Sequence, residues 1–237
     1  MLTETDRGMC MQAAEKRRLE QEMLKAERIR HIIECSFGLF ADKGIETISM
    51  NEIANQAEIG VASLYRYFST KEDLAIEAAI YAWKIEEDLF NKAFSFEGYD
   101  DLNGYDQLSS MLDIFTDALA TQSSFFRFVN YFDAFIKREK VSLGRLTKYE
   151  EAITGLKDIV VCAIKKGRKD GSISFGGKKD SELAKASDDE IYFTVMHSLF
   201  SLAQKLSLSG EMLNMNMEVR PEKQMNLAIR FFLEALK

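Results

Sequence analysis

Apolar residues recur at helical spacing along almost the whole chain. Between Lys25 and Lys43, Ile29, Ile32, Ile33, Phe37 and Phe40 fall on one stripe. Gly44 follows, where a helix favours a left-handed terminal residue. Ser49-Met50-Asn51-Glu52 has the serine and glutamate spacing of a capping box and opens a short helix to about Ala57, with Met50, Ile53, Ala54 and Ala57 inward. Glu58-Ile59-Gly60 reads as a tight turn, and a second short helix spans Val61 to Phe68. Ser69 to Asp73 is another helix start; the helix runs to about Phe94 with Leu74, Ala78, Tyr81, Ile85 and Leu89 on one side. After an acidic, glycine-containing loop over Glu97–Asp106, the pattern predicts helices over 107–121, 124–140, 146–167, 186–208 and 221–236. Loops are predicted at Gly167–Ser181 and Ser209–Arg220, and Pro221 suits the first turn of the last helix.

Composition sharpens this into an all-α fold. A single proline and 13 glycines in 237 residues leave few breaks, and 46% hydrophobic content is enough for a core. Residues 1–24 are polar and helix-prone, an arm whose main reading is a solvated helix and whose second reading is an extension toward phosphates. The chain then divides into a DNA-binding unit over 25–72 and a helical unit over 73–237. Cys10, Cys35 and Cys162 are far apart and lack the spacing of a metal or redox motif, so no metal and no cofactor is predicted. The odd cysteine count, a polar start unlike a signal peptide, and the lack of roughly 20 consecutive apolar residues point to the cytoplasm and away from a membrane. The net charge of −7 argues against nucleic acid until it is divided along the chain. Residues 1–71 hold 10 Lys and Arg against 11 Asp and Glu, so most of the acidity lies farther on.

Two short helices joined by a tight turn and braced by a longer one make a helix-turn-helix. The second begins with the small residues Val61, Ala62 and Ser63, slim enough for a major groove. Tyr65, Arg66 and Tyr67 then offer groups for phosphates or base edges, while Leu64 and Phe68 point back to the core. Lys71 follows at the next helix start. Residues 32–44 (Ile32 to Gly44), Ile48-Ser49-Met50-Asn51-Glu52-Ile53-Ala54, Ser63-Leu64-Tyr65-Arg66-Tyr67-Phe68 and Thr70-Lys71-Glu72-Asp73-Leu74 together resemble the TetR family of repressors over about residues 29–76. The resemblance implies that Ser49 and Asn51 lie near a phosphate, that Val61, Ala62, Ser63 and Arg66 face the groove, and that Tyr65, Tyr67 and Lys71 clamp phosphates. The turn departs from the family pattern, with Glu58 first and Gly60 third.

The resemblance further implies a homodimer built on the last two long helices, a palindromic double-stranded operator, and a C-terminal domain that binds a small effector. Ile191, Val195, Leu199, Leu202, Leu206, Leu227, Phe231 and Phe232 exceed what one buried helix face needs. The aromatic run Phe125 to Phe135 also overfills one face. Trp83, Phe128, Tyr131 and Phe132 are candidates for a pocket wall, with Asn130 and His197 for polar contacts to a hydrophobic effector. An enzyme is not predicted: His31 and His197 are the only histidines, no nucleophile motif is present, and the Gly171–Lys178 stretch has glycine where a phosphate loop needs lysine. Glu86-Glu87 and Asp188-Asp189 read as solvated carboxylates. The alternatives left open are an activator or a helical adaptor of the same fold that binds DNA weakly or not at all.

Overall fold

A computed structural model describes residues 4–95, 97–177, 181–209 and 219–237, the side chains of 4–14 and 209 excepted. Its helices are α1 (Glu4–Lys43), α2 (Met50–Gln56), α3 (Val61–Tyr67), α4 (Lys71–Ala93), α5 (Gly104–Thr121), α6 (Ser123–Arg138), α7 (Leu143–Asp170), α8 (Glu182–Lys185), α9 (Asp188–Ser209) and α10 (Pro221–Leu236). Single 3₁₀ turns lie at Tyr99–Asp101 and Phe175–Gly177, and no strand occurs among the described residues. The fold is all-α, with an N-terminal helix-turn-helix and a C-terminal helical bundle. None of the described helices is long and apolar enough to cross a membrane.

The N-terminal arm and the first core helix are one element, because nothing between Glu15 and Ile29 breaks a helix. Residues 15–28 of α1 are exposed throughout, with Lys16–Glu20 and Arg18–Glu22 pairs at i,i+4 spacing. Burial begins at Ile32 and Ile33 and continues through Phe40 and Ala41. Gly44 ends α1 at φ +82°. α2 and α3 close over this segment with Ile53, Ala54 and Leu64 fully buried, and α4 completes the unit with Leu74, Ala75 and Ala78. The same apolar cluster continues without a gap through α5, α6, α7, α9 and α10.

Several boundaries differ from the sequence expectation. α5 starts at Gly104, inside the expected loop, and α7 continues to Asp170 before Gly171 turns it at φ +80°. The short α8 was not expected. The expected loop at Ser209–Arg220 falls mostly on residues outside the described ones.

The start of α5 shows why. Asp170 accepts the Gly104 N–H at 2.9 Å, Ser172 accepts that of Tyr105 at 3.0 Å, and Asn103 accepts that of Asp106 at 2.9 Å. Three donors that a helix leaves without intrahelical partners are thus satisfied, two of them by the last residue of α7 and the turn just after it. The stretch that faintly suggested a phosphate loop therefore caps a helix with Ser172. This geometry requires close approach: a Cβ on Gly104 would lie 1.9 Å from the Gly167 amide nitrogen and 2.5 Å from the Ala163 carbonyl oxygen. Backbone cannot yield there, whereas Gly38, exposed in α1, has nothing within 4 Å. We therefore expect Gly104→Ala to destabilise by about 2 kcal/mol or more and Gly38→Ala to stabilise by up to about 1 kcal/mol, read as opposite shifts in the urea midpoint.

Candidate functional site

The exposed face of α3 is built by contrast with its buried one. Leu64 is fully buried and Phe68, just beyond the helix, nearly so. With that side fixed, helical geometry turns Val61, Ala62, Tyr65 and Arg66 outward, and all four are exposed. Ser63 is half-buried, and its Oγ accepts a hydrogen bond from Arg66 Nη2 at 2.8 Å. Ser49 and Asn51 are also exposed at the start of α2. Ser49 is occupied by the capping box: Glu52 N donates to its Oγ at 3.2 Å, and Ser49 N donates to the Glu52 carboxylate at 2.8 Å. These bonds hold the Glu52 carboxyl below its usual range.

The two other predicted phosphate clamps, Tyr67 and Lys71, are half-buried, unlike Tyr65. Tyr67 is half-buried and faces an open cleft of about 800 Å³ between the helix-turn-helix and the bundle, shared with Asp73, Ile76 and Arg145. Lys71 turns inward: its Nζ donates to the Ile48 carbonyl at 2.6 Å and the Glu46 carbonyl at 3.2 Å. Burial, with the nearby Arg138 charge added, lowers the Lys71 pKa from the usual lysine range. The ammonium thus fixes the loop before α2, and the sequence reading missed this carbonyl-binding role.

The turn carries the chain's departure from the family pattern. Glu58 has φ +52°, a conformation that glycine adopts without steric cost, and its charge lies near enough to Cys35 of α1 to help burial raise that thiol's pKa. Gly60 caps α3 from extended backbone without a side-chain bond. The left-handed cost of about 1–2 kcal/mol, set against glycine's flexibility cost of about 0.5–1 kcal/mol, predicts that Glu58→Gly stabilises the fold by roughly 0.5–1 kcal/mol in denaturant titration.

Three arginines missed in the sequence join this unit to the bundle. Arg127 of α6 donates from Nε to the Ala41 carbonyl at 3.2 Å and pairs with Asp42 at 3.6 Å, both in the last turn of α1. Arg138, at the other end of α6, pairs with Glu46. Arg145 of α7 donates to Asp73 at 2.7 Å and to Thr70 at 3.2 Å. Against the opposing effect of burial, these bonds keep the Asp73 carboxyl below its usual range.

The bundle holds two neighbouring chambers separated by Trp83 and Phe200, whose rings lie 5.3 Å apart. The first, about 290 Å³, is walled by Trp83, Phe90, Phe115, Phe125, Phe126 and Phe200. The second, about 250 Å³, is lined by Trp83, Asp133, Tyr149 and His197 among others, and Trp83 Nε1 donates to the Tyr149 hydroxyl at 3.2 Å. Of the predicted pocket residues, Trp83 lines both chambers and His197 the second. Phe128 is instead buried against Phe37 of α1 at 5.1 Å, Phe132 packs on Tyr149 at 4.8 Å, and the Tyr131 ring lies 3.7 Å from where a Cβ on Gly44 would stand. Asn130 is half-buried and lines neither chamber.

Of the carboxylates expected to be solvated, Asp189 is exposed, while Asp188 and Glu86 are partly buried. Asp188 and Asp189 form ion pairs with Arg168 at 2.9 Å and Lys157 at 3.0 Å. Glu86 lines the first chamber, three residues after Trp83 and four before Phe90; that spacing was the available signal. Burial lifts its carboxyl to about 7. The unfolded chain ionises Glu86 near the ordinary value of about 4.3, so between that value and about 7 the folded form retains a proton that the unfolded form loses. Stability from this group therefore falls as pH rises through that window. Glu86→Gln is expected to be more stable than wild type by on the order of 1–2 kcal/mol at pH 8, allowing for its partial contact with water, and equal to it at pH 4. A pH-independent difference would contradict this account of the site.

Comparison with known proteins agrees with this geometry. Residues 32–78 match the family model described as bacterial regulatory proteins, tetR family. HTH-type transcriptional regulators of Staphylococcus aureus strains USA300 and COL are 34% identical over 87 residues, 37% of this chain. The chain thus spans 45% of the length of these curated relatives. The fatty acid degradation regulator FadR from Bacillus halodurans superposes with TM-score 0.62 at 12% identity, covering 87% of this chain and 94% of that one. FadR from Bacillus subtilis, solved in complex with stearoyl-CoA, gives TM-score 0.60 at 13% identity over 88% of this chain and 99% of that one. A TetR-family regulator structure from Rhodococcus sp. gives 0.62 at 16% identity, over 87% and 99%.

Proposed function

We propose that this chain, a member of the TetR family by its N-terminal helix-turn-helix, is a ligand-responsive repressor that binds a palindromic operator as a homodimer and releases it on binding a small effector. The observation that carries the reading is the outward face of α3: Val61, Ala62, Tyr65 and Arg66 exposed on a short helix anchored by Leu64. A helix this slim fits the major groove, where the apolar side chains meet thymine methyls and Arg66 reaches a base edge or phosphate. Ser63, Ser49 and Asn51 flank that face, Tyr65 and Tyr67 offer hydroxyls to phosphates beside it, and Lys71 fixes the loop before α2. The units proposed are the arm over 1–24, the DNA-binding domain over 25–72 and the ligand-binding and dimerisation domain over 73–237. The protein acts in the cytoplasm and without catalysis.

Homodimerisation through α9 and α10 is supported by apolar side chains left in water. Ile191, Val195, Leu199 and Leu206 serve the protomer core, but Phe193, Leu227 and Phe231 are exposed, Phe231 at 68%. Leu227 and Phe231 stand one helical turn apart, a stripe suited to a symmetric partner. Burying a phenylalanine is worth about 1.5–3 kcal/mol, a substantial gain in a twofold contact.

The effector reading rests on the chambers around Trp83. α6 supplies Phe125 and Phe126 to the first chamber and Arg127 and Arg138 to the reading unit. A ligand that moves α6 changes where α1 and the loop before α2 are held, and hence the spacing of the two α3 helices in a dimer.

The test is selection of random duplexes by the purified protein at two salt concentrations. An enriched palindrome, bound less tightly as salt rises, is expected. Arg66→Ala should weaken binding by about 1–3 kcal/mol, and Phe231→Asp should leave a folded monomer by sedimentation that loses operator affinity. No enrichment at low salt would favour the adaptor; enrichment with increased transcription would identify an activator.

A further inference from the structure

We propose that the first chamber is a receptor for hydrophobic cations, with Glu86 as the counter-ion; this rests on the effector role given to the chamber above and names its ligand class. The polar groups on its wall are Glu86, Asp117, Thr121 and Gln122; none of its lining residues is lysine, arginine or histidine. Glu86 is therefore the half-buried carboxyl on this wall, Asp117 is exposed at its edge, and no protein cation is among the lining residues.

Glu86 has no described hydrogen-bond or ion-pair partner, and burial alone accounts for its raised pKa. Its neighbours on α4 are Trp83 and Phe90, one turn to either side, so the carboxyl opens between two aromatic rings. Phe115, Phe125, Phe126 and Phe200 contribute further rings from α5, α6 and α9. A ligand with an anionic head would place like charges together in an apolar space. A neutral ligand offers the carboxyl at most a hydrogen bond and no opposite charge. A quaternary ammonium on an apolar body satisfies both parts of the wall, pairing with the carboxylate while lying against ring faces. At neutral pH a bound cation draws Glu86 to its ionised form, and the displaced proton passes to solvent. Asp117, exposed at the α5 edge of the chamber, is the other carboxyl residue in the lining, and solvent screens its charge.

Trp83 is the chain's single tryptophan and lines both chambers, so its fluorescence reports a ligand in either one and the Glu86 variant assigns the signal to the first. The full-length protein is titrated at pH 7.5 (about neutral) with decyltrimethylammonium, 1-decanol and decanoate below their aggregation concentrations; the three share a chain and differ in head charge. Decyltrimethylammonium is expected to bind at least about tenfold more tightly than decanol, and decanoate most weakly. Glu86→Gln should abolish the preference for the cation and leave decanol binding within about twofold of wild type. Equal binding of the three, preference for decanoate, absence of binding, or a cation preference that survives Glu86→Gln would each overturn the proposal. The titration uses no DNA, so its failure is distinct from failure of the operator selection, which tests the regulator reading itself.

Discussion

Arg127 ties the last turn of α1 to the helix that lines the first aromatic chamber. Its guanidinium meets the Ala41 carbonyl and the Asp42 carboxylate, while the hydroxyls of Ser123 and Ser124 accept from its remaining nitrogens. A helix end has carbonyls without intrahelical donors and a partial negative charge, and a planar cation answers both. The position of α1 under α2 and α3 is thereby set from α6. Arg138 repeats the connection on the loop before α2, and Lys71 fixes the same loop from α4. Removing this set would leave the helix-turn-helix held to the bundle by the Arg145 bonds to Asp73 and Thr70 and by apolar packing that includes Phe37 against Phe128.

That arrangement explains why so aromatic a helix contains a half-buried arginine. Successive residues of α6 point in different directions: Phe125 and Phe126 into the chamber, Arg127 toward α1, and Phe128 into the seam between the two units. Motion at the chamber wall has a short covalent path to the reading unit. α4 offers a second path, with Trp83 and Glu86 at the chamber and Lys71 and Asp73 near the loops that hold α2 and α3.

The sequence was most legible where local physics decides structure. The capping boxes at Ser49 and Thr70, the left-handed glycine after α1 and the apolar stripe from Ile29 to Phe40 required no knowledge of distant contacts, and the all-α fold and the helix-turn-helix followed from them. Glu58 was visible as a departure from the family pattern, although only its backbone angle revealed where the strain lies. Roles that depend on long-range packing were not legible. Phe128 and Phe132 fit a cavity wall by residue type, yet they fill the seams against α1 and α7. Lys71 fits a phosphate clamp by position, yet carbonyls 23 and 25 residues earlier hold it. Glu86 was misread because it was compared with its sequence neighbour Glu87; comparison with Trp83 and Phe90, one turn away, puts it on the chamber wall.

In the mechanism proposed, occupancy of the chamber reaches the exposed face of α3 through Arg127. The most direct measurement is the affinity of a labelled operator duplex for wild type and Arg127→Ala, each with and without decyltrimethylammonium. The account predicts that the cation weakens operator binding at least about fivefold in wild type and less than about twofold in Arg127→Ala, while Trp83 fluorescence shows that both proteins bind the cation. An equal weakening in the two proteins, with the cation bound to both, would contradict it.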